Sequence, residues 1–225
     1  RTSMPSTWLG PDVYLGGCND GGLGGVAKLE SEGRLRSLLM ERGAIKEAEW
    51  WQTLFGQTSP QEVALRKKDL LAVCEKAPKN GVNANEAVKA EVDAAASALE
   101  PLCSDEQARS TPLTGTWDLL YSSAPGASSG RIGPLVGDVK QTFLDDTFYI
   151  NSVEFGPLKV SLEADREIIK EKELKVTFKQ MAFALFGFEL ARMAIKGSGI
   201  WKQRYVDKDL HVLDTPSLFV LRRRS

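Results

Sequence analysis

The groups in this chain that could do acid–base, nucleophilic or metal chemistry are few and scattered. His211 is the one histidine, and it stands among Asp207, Asp209 and Asp214. A serine would complete a Ser-His-Asp relay, but no Gly-x-Ser-x-Gly elbow is available to expose the nucleophile. Gly197-Ser198-Gly199 reads instead as a turn between an apolar segment and a strand. Cys18, Cys74 and Cys103 are odd in number, and their spacings fit neither a zinc pattern nor a full disulfide framework. Asp145-Asp146 and Asp207/Asp209 fall where hairpin tips are expected, without the ligand spacing of a calcium loop. The expectation is therefore no catalytic residue, no metal site, and a surface histidine at position 211.

The chemistry that remains is burial of something apolar. Trp117, Tyr121, Phe143, Phe178, Phe183, Phe186, Phe188 and Tyr205 are spread over the second half of the chain and are the candidate lining of a cavity. Placing them around one space requires a closed sheet. "LKVSLEA" alternates Leu158, Val160, Leu162 and Ala164 with polar residues, and "LKVTF" does the same with Leu174, Val176 and Phe178. Such alternation marks half-buried antiparallel strands. Lys170 to Glu173 forms the hairpin tip between them. Further strands fit Gly115–Ser123, Val139–Leu144, Phe148–Phe155, Ile200–Val206, Leu210–Leu213 and Leu218–Arg222. About eight antiparallel strands close into a barrel just wide enough for side chains or one small ligand. A filled and an open barrel are equally open readings. Trp117, Leu119 and Tyr121 are expected on one face of the first strand. By analogy with lipocalins, Trp117 plugs the closed end beneath Arg222 or Arg223. Burying about eight methylenes of an acyl chain gains roughly 6 kcal/mol before ordering costs reduce it.

The apolar run Met181–Ile195 is interrupted only by Glu189 and Arg192. It is shorter than the roughly 20 residues of a spanning helix, so no membrane crossing is expected. It reads as a short helix over one mouth of the barrel, either buried there or dipped into a bilayer surface. Ahead of the barrel, residues 59–112 read as a helical pair. Ser59-Pro60-Gln61-Glu62 is a capping box with proline in the first turn, and Asn83 or Asn85 caps the second helix. Residues 1–58 differ in composition. Seven glycines lie between Gly10 and Gly25, an extended arm rather than a phosphate loop, since no Gly-Lys-Ser/Thr follows. An amphipathic helix comes after it, and the adjacent Trp50 and Trp51, with Phe55, are candidates for partner contact. The chain opens on Arg1, which suits a removed targeting peptide or a shortened start equally well. Twenty-nine basic against 30 acidic residues give a net charge of −1, which argues against a nucleic-acid partner.

From about Lys67 onward the chain resembles the plastid lipid-associated proteins, or plastid fibrillins. The resemblance rests on Leu99-Glu100, then Leu113, Gly115, Trp117, Leu119, Leu120, Tyr121 and Ser122, then Gln141, Asn151 and Val153. Late in the chain it rests on Trp201, Tyr205, Asp207 and Leu210, and on the final "LFVLRR". Two departures are His211, where the family often has arginine, and Pro101-Leu102, where it has Asn-Pro. The resemblance implies a mainly β, lipocalin-like antiparallel barrel with N-terminal helices. It implies a chloroplast location, peripheral to the thylakoid membrane or at plastoglobules. It also implies a non-catalytic carrier of a lipid, prenylquinone or carotenoid, with no required cofactor. The alternative function is an accessory subunit whose N-terminal extension docks onto a photosystem or its antenna.

Overall fold

The computed structural model of the protein describes residues 59–224. The expectations for the glycine-rich arm and for Trp50, Trp51 and Phe55 lie outside the described residues. Helix α1 (Pro60–Lys76) opens as its sequence predicts: the Ser59 side chain accepts from the Glu62 amide at 3.1 Å, with Pro60 in the first turn. Helix α2 (Glu86–Leu99) is capped by Asn85, which accepts from the Val88 amide at 2.9 Å. It buries Val92, Ala96 and Leu99 completely. Pro101 ends it in a 3-10 turn over Glu100–Leu102. A third helix, α3 (Asp105–Ser110), was not anticipated; Ser104 caps it, and it leads straight into the sheet. None of these helices is long and apolar enough to cross a membrane.

The sheet has eight barrel strands: β1 (Gly115–Ser122), β4 (Asp138–Phe143), β5 (Phe148–Phe155), β6 (Leu158–Lys170), β7 (Glu173–Leu185), β8 (Phe188–Val206), β9 (Leu210–Asp214) and β10 (Leu218–Arg223). A small hairpin of β2 (Arg131–Ile132) and β3 (Leu135–Val136) lies in the connection between β1 and β4. The barrel is closed and antiparallel throughout, in the order β1-β10-β9-β8-β7-β6-β5-β4 and back to β1. Helices and barrel share one hydrophobic core. Leu71 and Cys74 of α1 meet Leu120, and outward-facing Val212 and Val220 are fully buried beneath the helical layer.

Two expectations are corrected here. Met181–Ile195 is not a helix over the mouth. It is a continuation of β7 and the start of β8, joined by a two-residue turn at Phe186 (φ 52°) and Gly187 (φ 84°). Positive φ at both turn residues is the geometry that keeps a hairpin's twist. Gly197-Ser198-Gly199 is likewise not a turn but part of β8. Gly197 stands opposite Phe178, and a Cβ there would come within 3.2 Å of the Phe178 ring. The glycine makes room for that ring. β8 pairs with β7 along its length, with register slips at Leu190 and at Ile195-Lys196. It pairs with β9 only through Lys202–Val206. Among the described residues, the other edge of residues 188–201 has no partner strand.

Among the side chains that fasten the helical layer to the barrel, Asn80 makes a buried link. Asn80, in the left-handed region at φ 55°, donates from Nδ2 to the Ser129 carbonyl at 3.0 Å and the Gly137 carbonyl at 2.8 Å. Its own carbonyl accepts from the Ser122 amide at 2.9 Å. Replacing it with alanine strands two buried acceptors and keeps the left-handed backbone. Asn80→Ala is expected to lower unfolding free energy by about 2–4 kcal/mol in a denaturant titration. A loss below about 0.5 kcal/mol, the size of an ordinary surface change, contradicts this account.

Candidate functional site

The interior is built from strand faces, and cross-strand partners identify which residues share it. Trp117 opposes Gln141, Gln141 opposes Asn151, Asn151 opposes Leu162, and Leu162 opposes Met181. A neighbouring row runs Val139, Val153, Val160 and Phe183. A third joins Phe143, Tyr149, Ala164 and Phe178. These rows face inward, because Trp117 and Phe143 both meet His211 inside the barrel, at ring distances of 5.7 and 6.3 Å.

One end is closed and filled. Trp117 is fully buried and donates from Nε1 to the Leu113 carbonyl at 2.7 Å. The Arg223 guanidinium lies 4.3 Å from its ring centroid, the stacking expected for one of the two terminal arginines. Phe143 stacks on Tyr149 at 5.3 Å, and Tyr149 meets Trp201 edge-on at 5.4 Å. Arg166 covers Phe143 at 5.2 Å and reaches Asp146 at 3.2 Å. Burial pulls the Arg166 pKa below its ordinary value, against the neighbouring Asp146 and Asp145.

The other end is open. Inward-facing Val160, Leu162, Phe178, Met181 and Phe183 are only half-buried, although they continue the same rows that are sealed at the closed end. Beyond them the β7–β8 turn carries Phe186 and Phe188, which are 74% and 76% exposed, and Leu190 is exposed beside them. The predicted lining residues therefore divide. Trp117 and Phe143 fill the closed end, Phe178 and Phe183 line the open half, and Phe186 and Phe188 form the rim.

Tyr121 and Tyr205 lie elsewhere. A bulge between Leu119 and Tyr121 places Tyr121 opposite Val220, and a bulge between Gln203 and Tyr205 places Tyr205 opposite Val212. Both partners face outward, so both tyrosines sit under the helices instead of in the interior. A Cβ on Gly81 of the α1–α2 connection would come within 2.7 Å of the Tyr121 ring. The Tyr205 hydroxyl donates to Asp207 at 2.8 Å, and Lys67 of α1 pairs with the same carboxylate at 2.5 Å. Burial alone would raise the Asp207 pKa, but Lys67 and the amides of Asp209 and Leu210 hold it below the usual carboxylate value. A groove of about 640 Å³ along α1, lined by Val63, Lys67, Leu71 and Asp207, is outside the barrel, and part of its polar wall is spent on this ion pair.

His211 also departs from expectation. It is fully buried and points inward, opposite Leu221 and Val206, away from the flanking aspartates. Burial, with the positive charges of Arg166 and Arg223, lowers its pKa to about 3. The imidazole is neutral at physiological pH and has no charge to exchange. The thiols are similarly passive: burial pushes Cys74 up to about 12 and raises Cys103. Both are free and buried.

Several interior polar atoms have no hydrogen-bond partner among the described residues. They are Gln141 Oε1, Asn151 Oδ1, Gln203 Oε1, Arg166 Nε and both ring nitrogens of His211. Each such atom costs about 1–3 kcal/mol relative to a satisfied one. Sequence reasoning picked out Gln141 and Asn151 only as matches to a family pattern. Their position opposite one another on an inward face was readable from strand alternation once the strands were aligned.

A family model, PAP_fibrillin, matches residues 64–205, from within α1 to the end of β8. The chain belongs to this family. Its members are plastid lipid-associated proteins, generally structural, and a plastid association comes with membership. Searches of the curated proteins and of the solved structures gave no match. Within this PAP_fibrillin protein, His211 provides a test of the interior. The folded state excludes its proton down to about pH 3, whereas the unfolded chain takes it up near 6.5. Unfolding therefore binds a proton in that window, and stability falls as pH drops through it. Between pH 6.5 and 4.5, above the carboxylate range, the expected slope approaches about 1.4 kcal/mol per pH unit. Denaturant titrations of wild type and His211→Phe should differ by that slope; parallel pH profiles would place the imidazole in water.

Proposed function

We propose that this PAP_fibrillin protein is a non-catalytic holder of one apolar small molecule, a lipid, prenylquinone or carotenoid, at the thylakoid surface. The observation that carries the reading is the contrast between the two ends of one barrel. The same inward rows are filled at Trp117 and Phe143 and half-exposed at Leu162, Met181 and Phe183. An apolar chain laid along the open half buries those side chains and loses its own contact with water. Phe186, Phe188 and Leu190 lie where such a chain would enter. Exposed aromatic and aliphatic side chains on one hairpin tip favour an interface that is itself apolar just below its surface. Delivery and membrane contact then share one end of the protein. Burial also takes from His211, Cys74 and Cys103 the acid–base and nucleophilic roles that their side chains would otherwise offer.

The test separates rim from fold. Phe186→Ser with Phe188→Ser should weaken flotation with galactolipid vesicles at least tenfold, and should slow uptake of a fluorescent acyl probe. Both residues are exposed, so the melting temperature should not move by more than a degree or two. Unchanged vesicle binding and unchanged probe uptake in the double variant would remove the mouth from the function.

A further inference from the structure

The connections between barrel strands sort by end. β1, β5, β7 and β9 run in one direction, so the β1–β4, β5–β6, β7–β8 and β9–β10 connections all lie at the open end. They comprise residues 123–137, 156–157, 186–187 and 215–217, and Arg131 is the single charged residue in the set. The closed-end turns read otherwise. Leu144 is exposed there, but Asp145 and Asp146 follow it directly. Glu171 and Lys172 join β6 to β7, and Asp207, Lys208 and Asp209 join β8 to β9. Taking charge out of water is costly, so the open end is the one suited to meet an apolar phase.

That end carries a second apolar tip besides Phe186 and Phe188. In the β2–β3 hairpin Ile132 stands opposite Leu135 across Gly133-Pro134. All four residues are exposed, Ile132 at 44% and Leu135 at 58%. A hairpin this short has little stability of its own, yet this one is held at its root. The Gly137 amide donates to the Gly130 carbonyl at 2.9 Å, and Asn80 Nδ2 donates to the carbonyls of Ser129 and Gly137. Arg131 donates to the Gly133 carbonyl at 3.1 Å and to Asn83 Oδ1 at 2.7 Å. The root is thus tied to the α1–α2 connection while the isoleucine–leucine pair is left in water. An apolar tip held away from its own core marks a contact outside the molecule.

We propose that the β2–β3 hairpin is a second membrane tip, and that the barrel stands mouth-down on a bilayer surface with Ile132 and Leu135 immersed as well as Phe186 and Phe188. The occupant is lipid because of the charge pattern. Separate apolar tips on uncharged turns match a surface that is fluid and apolar below its headgroups. Arg131, beside one tip, matches the negative charge that anionic lipids give such a surface, and the acidic turns at the far end are kept away from it. This rests on the reading that the mouth meets a membrane; it adds a second point of contact and an orientation.

The experiment uses the full chain and galactolipid vesicles containing phosphatidylglycerol. Ile132→Ser with Leu135→Ser should weaken flotation about fivefold or more. The melting temperature should stay within a degree or two, since both side chains are exposed. Uptake of a fluorescent acyl probe without vesicles should be unchanged. Leu135→Trp should add tryptophan emission that shifts to the blue on vesicles and is quenched by brominated acyl chains. Glu171→Trp, at the opposite end, should add emission that does neither. If the hairpin variant floats like wild type while Phe186→Ser with Phe188→Ser does not, the second tip is overturned and the mouth reading stands. An unshifted emission at position 135, an equal shift at position 171, or a melting temperature lowered by several degrees overturns it too. So does lost probe uptake with flotation intact, which would make the hairpin a cover for the mouth. Wild type that binds protein-containing membranes but not lipid vesicles would assign the tips to a protein partner and overturn the proposal. If the Phe186 and Phe188 pair also leaves flotation and uptake unchanged, the mouth reading falls with it.

Discussion

Arg223 is the residue on which the closed end depends. Its guanidinium donates to the carbonyls of Lys208, Thr114 and Pro112, and its plane lies over Trp117. Those three carbonyls belong to the β8–β9 turn and to the entry of β1, so one side chain at the end of the last strand ties two separate pieces of backbone to it. Arginine's planar fork suits this, since it can bond outward along its edges while stacking through its face. With that end fixed, Trp117, Phe143, Tyr149 and Trp201 have no choice but to pack on one another. The strands that diverge from them then determine how wide the opposite end becomes.

Divergence is uneven around the barrel. β9 and β10 are short, while β6, β7 and β8 run on for 13, 13 and 19 residues. The helices cover the short-strand side, where outward Val212 and Val220 are buried, and nothing among the described residues covers the long-strand side. The barrel, with its helices, is thus closed at one end and has one tall wall. The tall wall carries the half-exposed apolar rows and the aromatic rim, and the sealed base carries the buried aromatic cluster.

Much of this was legible in the residue order. Alternation in "LKVSLEA" and "LKVTF", the Gly115–Trp117 start and the terminal arginines gave eight strands, a barrel and the identity of its closed end. The missed features share a physical cause: places where a strand does not have one wet and one dry face. Along Met181–Ile195 both faces are partly exposed, so alanines and aromatics alternate without a polar signal and the segment resembles a helix. β9 is the opposite case. Leu210, His211, Val212 and Leu213 are all buried, because helices cover the outer face, and a histidine there looks no different from one in water. Tyr121 and Tyr205 were misplaced for a third reason. A single extra residue in a strand reverses every later side chain, and nothing in the local composition announces it.

The tall wall has a bare margin along residues 188–201 of β8, and such a margin would ordinarily let molecules zip together into ribbons. Here the two slips in spacing, at Leu190 and at Ile195-Lys196, put its amide and carbonyl groups out of step with any regular neighbour. Lys196 adds a charge at the second of these slips. The irregularity thus works against edge-to-edge zipping of copies right beside the exposed rings of Phe186 and Phe188.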